Sequence, residues 1–347
     1  MILIYLIILI LIILIIIILI IINLIIINQK KNIQKLKISK HNDNTQTIFV
    51  GIASYRDPEL VMTLNDLIIK ANKSYRIYIG VYQQNRLNFK RDRKKCFAEN
   101  SIIPTDHLRI KTVSYKLSKG PTFARSEVEK LWNNEDFYLQ IDSHMRFEKD
   151  WDNELINMLM KCPYPQKTVI SIYPEGYNRK NGKPIIEKKY RIERFKKFNN
   201  DGIVLFEGLS TDDKIPSIPQ FVPFWSANFS FSSSNILKEI PYHPYTPFLF
   251  FGEEIFMTAR IYTHGWELRG PTYSVIYHLW NRNYRHTFWE KNNVNLKNYS
   301  VQLVKDYITG KRNDLIFNNI KVIGNNKSLN DFWNYLHLDP INLHSLY

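Results

Sequence analysis

The sequence predicts an α/β protein, a mostly parallel sheet flanked by helices, preceded by one N-terminal transmembrane helix. Three observations carry this. Short apolar, β-prone runs recur along the body; segments with helical apolar spacing separate them; and the chain starts with an almost unbroken run of Ile and Leu. At 347 residues the chain is long enough for one large α/β domain with a sizeable core.

In chain order, every residue from Ile2 to Ile22 is Ile or Leu except Tyr5, and the run resumes at Leu24–Ile27. It is long enough to cross a bilayer as a helix, and no small-residue cleavage site follows it. Residues 2–27 are therefore expected to form an uncleaved anchor in the lipid bilayer, followed by a lysine-rich stem over 28–46 that holds Lys30, Lys31, Lys35, Lys37 and Lys40. Positive flanks favour the cytoplasmic side, so the body is expected there rather than in a lumen.

The body spans 47–290. Its first strand is Ile48–Ile52, closed by Ser54 to Pro58, and Leu60 to Ala71 has helical spacing. "YRIYIGVYQQN" and "LRIKTVSY" read as the next two strands, with a short helix over Arg91 to Glu99 between them. "GPTFARSEVEKLW" opens with Gly-Pro, which suits a helix's first turn. "DFYLQI" and "KTVISIYP" are the fourth and fifth strands, separated by a helix over Trp151 to Lys161. The alternation then stops: 175–220 reads as a variable, lysine-rich loop or lid, "FWSANFSFS" as β-prone, and "GEEIFMTARIYTHGW" as a helix. Residues 291–347 are expected to form a helical extension in which "VQLVKDYITG" reads as a helix.

Right-handed crossovers place ligands at the carboxyl ends of parallel strands. Ser54, Arg56 and Gln83 emerge at that edge, and so does "DSH" after the fourth strand. In extended backbone Asp142 and His144 point the same way and could reach one ion. A carboxylate with an imidazole suits Mn²⁺, which also accepts phosphate oxygens and water; two ligands hold it weakly, so a third ligand or a diphosphate is required. Glu253 and Glu254 open a helix, where carboxylates are favourable in any case. His278 follows an apolar strand, a setting in which a packed histidine is the commoner reading. The net charge of +15 fits phosphates, nucleotides or an anionic membrane surface, and two cysteines make no disulfide framework. No nucleic-acid motif is present, and no specific nucleic-acid partner is expected.

Four pieces in order, "GPTFARSEVEKLWNNEDFYLQIDSHMRF", "FWSANFSFS", "GEEIFMTARIYTHGW" and "YHLWNR", resemble GT-A glycosyltransferases, in particular the GlcNAc-transferase family that includes cytosolic hydroxyproline GlcNAc-transferases, and more distantly the polypeptide GalNAc-transferases. The resemblance runs from about Ile48 to Trp289. It implies that Asp142 and His144 are the Asp-x-His motif for metal and sugar nucleotide, and that His278 is the third metal ligand. Arg282 would face the diphosphate, Arg125 the nucleotide, and Ser54 and Arg56 the base and ribose. Glu253 or Glu254 would stand beside acceptor and donor sugar, and the resemblance does not choose between them.

The activity implied is metal-assisted transfer of a sugar, GlcNAc from UDP-GlcNAc, with retention, to a hydroxyl of a protein (Ser, Thr or hydroxyproline) or glycan. Two alternatives stand beside it: an inactive GT-A-fold binding protein tethered to the membrane, which would use its basic surface to hold acidic polymers, and a metal-dependent hydrolase built on the same Asp and His residues.

Overall fold

The computed structural model describes residues 45–346 apart from 73, 186–188, 289–292, 313–315 and 318. The anchor expected at 2–27 and nearly all of the stem lie outside the described residues, and among the described residues no helix is long and apolar enough to cross a membrane.

Four strands form the parallel half of the central sheet: β1 (Thr47–Tyr55), β2 (Arg76–Asn85), β3 (Leu108–Ser114) and β4 (Phe137–Asp142). Their spatial order is β3-β2-β1-β4, so β1 is central. Its run Ile48–Ile52 is fully buried apart from the lack of a side chain at Gly51, as expected of a parallel strand covered on both faces. Gly51 and Gly80 are register partners beneath a helix; a Cβ on Gly80 would lie 2.5 Å from the Phe49 ring. The connecting helices are α1 (Leu60–Lys70), α2 (Lys90–Lys95) and α3 (Pro121–Glu129). Gly120 at φ 99° turns the chain into α3, and Pro121 occupies its first turn.

Beyond β4 come β5 (Met145–Phe147), α4 (Trp151–Met160) and β6 (Thr168–Ser171). The segment 175–220 is more ordered than its lysine content suggests. It holds a hairpin of β7 (Tyr190–Phe198) and β8 (Val204–Thr211), and then β9 (Gln220–Phe221). Gly202 at φ 73° closes the hairpin turn, where Asn199 N donates to Ile203 O. Lysines on the exposed positions of β7 hide the strand pattern, while Glu193 faces inward.

In "FWSANFSFS" only the second half is a strand: β10 (Phe229–Ser233) lies antiparallel between β4 and β6. After α5 (Glu253–Thr263), β11 (Glu267–Gly270) pairs parallel with β6, and β9 closes the edge antiparallel to β11. The sheet therefore has eight strands and is mostly parallel, with β10 and β9 reversed. Apart from it, β12 (Ile276–His278) pairs antiparallel with β5.

Gln46–Tyr347 form one compact unit. A second apolar cluster joins α5 to α6 (Val294–Ile308) and α7 (Leu329–Leu336), through Ile255, Phe256, Val304, Tyr307 and Phe332. A capping box of Ser328 and Asp331 starts α7. The helices of the carboxyl extension thus support α5 from behind, and α5 carries Glu253 and Glu254.

Candidate functional site

The site starts from two strand ends. Asp142 is the last residue of β4, in register with Ala53 of β1. The β5–β12 ladder sets His278 opposite Met145, the residue after His144. The ladder thus brings together groups far apart in the chain: His278 Nε2 lies 3.3 Å and His144 Nε2 3.7 Å from Asp142 Oδ2. The two rings are 4.7 Å apart between centroids, and one ligand atom from each of the three residues lies within 4.8 Å of the other two.

Burial alone would raise the Asp142 carboxyl, but the hydrogen bond with His278 and the Arg125 charge hold it well below its usual range. Burial pushes His278 down to about 4, so its imidazole is neutral at ordinary pH. A carboxylate and neutral imidazoles are the donor set a borderline divalent cation takes. His144 Nε2 is buried and has no hydrogen-bond partner among the described residues, which is the condition of a ligand atom facing an ion. The residues present therefore fit a divalent metal.

Behind His144 stands Asp57, a residue that sequence reasoning did not single out. It is fully buried, and its Oδ2 is 2.8 Å from His144 Nδ1. Although burial opposes its charge, Arg285 and His144 hold its carboxyl far below the usual range. Its only signal in the sequence is its place in "SYRDPEL", which also reads as a turn.

Arg125 of α3 forms the opposite wall. Its Nη1 donates to Glu253 Oε1 at 2.6 Å and its Nη2 to Asp142 Oδ1 at 2.7 Å. Arg125 is thus committed to two carboxylates at the site. Glu253 also accepts from Tyr242 OH at 2.7 Å, while Glu254 accepts from Ala227 N at 3.1 Å and from Tyr173 OH at 2.5 Å. Burial raises both acids, Glu254 to about 7.

These groups face one cavity of about 450 Å³, lined by Arg125, Asp142, His144, Glu253, Glu254 and Arg282. Arg282 lies over the Phe250 ring, 5.6 Å from its centroid. Trp280 and Phe251, both substantially exposed, add an aromatic rim. His278 is fully buried behind Asp142. Ser54 is fully buried and turned from the cavity, since alternation along β1 gives the wall to Ala53 and Tyr55. Arg56, at φ 47°, is directed away as well: its Nε pairs with Asp92 at 3.0 Å and its guanidinium lies over Tyr115. The structure thus brings together seven of the nine residues singled out, all but Ser54 and Arg56, and adds Asp57 and Arg285.

No curated protein matches the sequence. Among solved structures, GalNAc-T7 with UDP, GalNAc and Mn²⁺ is similar at TM-score 0.56 and 16% identity, over 88% of this chain and 57% of that one. S. aureus TarS 1–349 in complex with UDP-GlcNAc is similar at TM-score 0.50 and 13% identity, over 84% of this chain and 71% of that one. The chain spans little more than half the length of the GalNAc-T7 chain. At these identities the likeness is one of fold, GT-A-like. The family model described as Glycosyltransferase (GlcNAc) matches residues 47–101 and 85–342, nearly all of the body and most of the extension, and the chain belongs to that family.

Proposed function

We propose that the protein is a metal-dependent UDP-sugar glycosyltransferase that moves GlcNAc from UDP-GlcNAc to a hydroxyl of a protein or glycan with retention. The observation that carries this is the Asp142–His144–His278 cluster at a cavity shared with the buried Glu253 and the half-buried Glu254. The neighbour complexes with UDP, Mn²⁺ and UDP-GlcNAc support the donor and the metal class.

Asp142, His144 and His278 would hold the cation, which when bound supplies Lewis-acid stabilisation of the charge developing on the departing diphosphate. Arg125 takes Asp142 Oδ1 and leaves Oδ2 towards the two imidazoles. Arg282, at the cavity wall, offers a further cation to the diphosphate. The two glutamates differ in role. Glu253 is engaged by Arg125 and Tyr242, whereas Glu254, poised to about 7, orients the acceptor hydroxyl. In retaining transfer that hydroxyl attacks on the face of the leaving group; its C1–O bond forms as the C1–O–phosphate bond breaks, and its proton goes to the departing phosphate oxygen.

The test is turnover of UDP-GlcNAc by the purified chain with and without Mn²⁺, for wild type, Asp142→Ala and His144→Ala. Both variants are expected to lose transfer while keeping the wild-type circular dichroism. Full activity in either would remove the metal assignment.

A further inference from the structure

We propose that Asp57 is a positioning residue for the metal site, fixing the tautomer and ring orientation of His144. Asp57 Oδ2 accepts from Ser143 Oγ at 2.8 Å and contacts His144 Nδ1 at 2.8 Å; Oδ1 accepts from Glu59 N at 3.0 Å and Tyr284 OH at 3.1 Å; the Arg285 charge lies beside Oδ2, with Nε at 3.2 Å, as an ion pair. An ionised carboxylate only accepts, so the contact with His144 is a hydrogen bond only when Nδ1 carries the hydrogen. Nε2 then keeps its lone pair, and that atom is the buried one without a partner, 3.7 Å from Asp142 Oδ2. Metal-ligating histidines commonly need such a partner on the second ring nitrogen.

The donors come from separate parts of the chain: the turn before α1, the Asp-x-His motif itself, and the segment after β12. Asp57 thereby ties the histidine to the same segment that supplies Arg282 to the cavity wall. No donor to Asp57 lies on a flexible surface side chain; Ser143 is buried and the Arg285 side chain is 10% exposed.

The effect on affinity rests on the proposed metal dependence, so the experiment has two arms. In the first, the metal-free wild type is labelled with ¹⁵N-histidine, and long-range ¹H–¹⁵N correlations are recorded for the nine histidines, His144 being assigned by its loss in His144→Gln. The expected pattern is a protonated Nδ1 and an unprotonated Nε2, and the opposite tautomer would overturn the proposal. In the second, free Mn²⁺ is followed by electron paramagnetic resonance during titration of wild type, Asp57→Asn and Asp92→Asn, with melting curves alongside. Asp57→Asn is expected to raise the Mn²⁺ dissociation constant about 10- to 100-fold. Asp92→Asn, which loses the partner of Arg56 instead, should lower the melting temperature with the Mn²⁺ affinity unchanged. Unchanged affinity in a folded Asp57→Asn also overturns the role, and if that variant does not fold the tautomer decides. Absence of Mn²⁺ binding by wild type would sink the metal reading alone, since the tautomer still reports on Asp57.

Discussion

Glu254 shows how one side chain acquires a pH dependence from its surroundings. Burial raises its carboxyl from 4.5 to about 7, against the opposing hydrogen bonds from Tyr173 OH and Ala227 N. A carboxyl raised in the folded state binds more protons there than in the unfolded chain. The stability it contributes is therefore complete below about 4.5 and is lost as pH rises through about 7. At 1.36 kcal/mol per unit this amounts to on the order of 3 kcal/mol. Glu254→Gln should match the wild-type melting temperature near pH 5 and exceed it at pH 8, which calorimetry at the two pH values would show. If the ionised form orients the acceptor, wild-type turnover rises with pH through about 7, and Glu254→Gln is slow at every pH. A pH profile of the variant that still rises there would assign the transition to another group.

At the scale of elements, the cluster depends on the β5–β12 ladder, because His278 is 136 positions from Asp142 and only that pairing brings it near. His278→Ala is expected to raise the Mn²⁺ concentration for half-maximal activity about 10- to 100-fold, with excess metal restoring part of the rate. A lowered melting temperature with an unchanged metal midpoint would instead make His278 a packing residue. The sheet itself offers a different test. A Cβ at Gly80 would meet the Phe49 ring at 2.5 Å, so Gly80→Ala should cost about 1–3 kcal/mol of stability by thermal denaturation, with the metal midpoint unmoved. Strands β1 to β4 and β6 were legible because apolar runs alternate with helical spacing, and Asp142 and His144 because they follow the fourth, whereas the three-residue β5 was too short to show. The β7–β8 hairpin was not, since lysines occupy its exposed positions. Nor was the side to which Ser54 and Arg56 turn: that depends on pleat phase and on the left-handed backbone at Arg56, which the residue types do not reveal. Asp57 escaped because its meaning lies in partners from two distant segments, at 143–144 and 284–285.

At the scale of the whole molecule, the apolar run and its lysine flank bear on where this unit works. We propose a single-pass protein anchored through 2–27 with its body in the cytoplasm, from the five lysines that follow the apolar run. The formal charge of +15 is consistent with that side, where anionic lipids attract basic surfaces. Potential glycosylation sites, Asn72 and Asn298 among them, make the proposal testable. Asn72 and Asn298 head Asn-x-Ser sequences and both side chains are exposed, so glycosylation in a lumen would find them accessible. Their hydroxyl partners differ, since Ser74 is exposed while Ser300 is buried with its Oγ donating to Pro247 O at 2.6 Å. Asn72 is therefore the stronger reporter. Expressed in a eukaryotic cell and recovered in intact microsomes, the full chain is expected to show no mobility shift on endoglycosidase treatment and to lose its body to added protease without detergent. A protected body with a glycan at Asn72 would place the transferase unit in the lumen, and the lysine flank would then have failed to set the orientation.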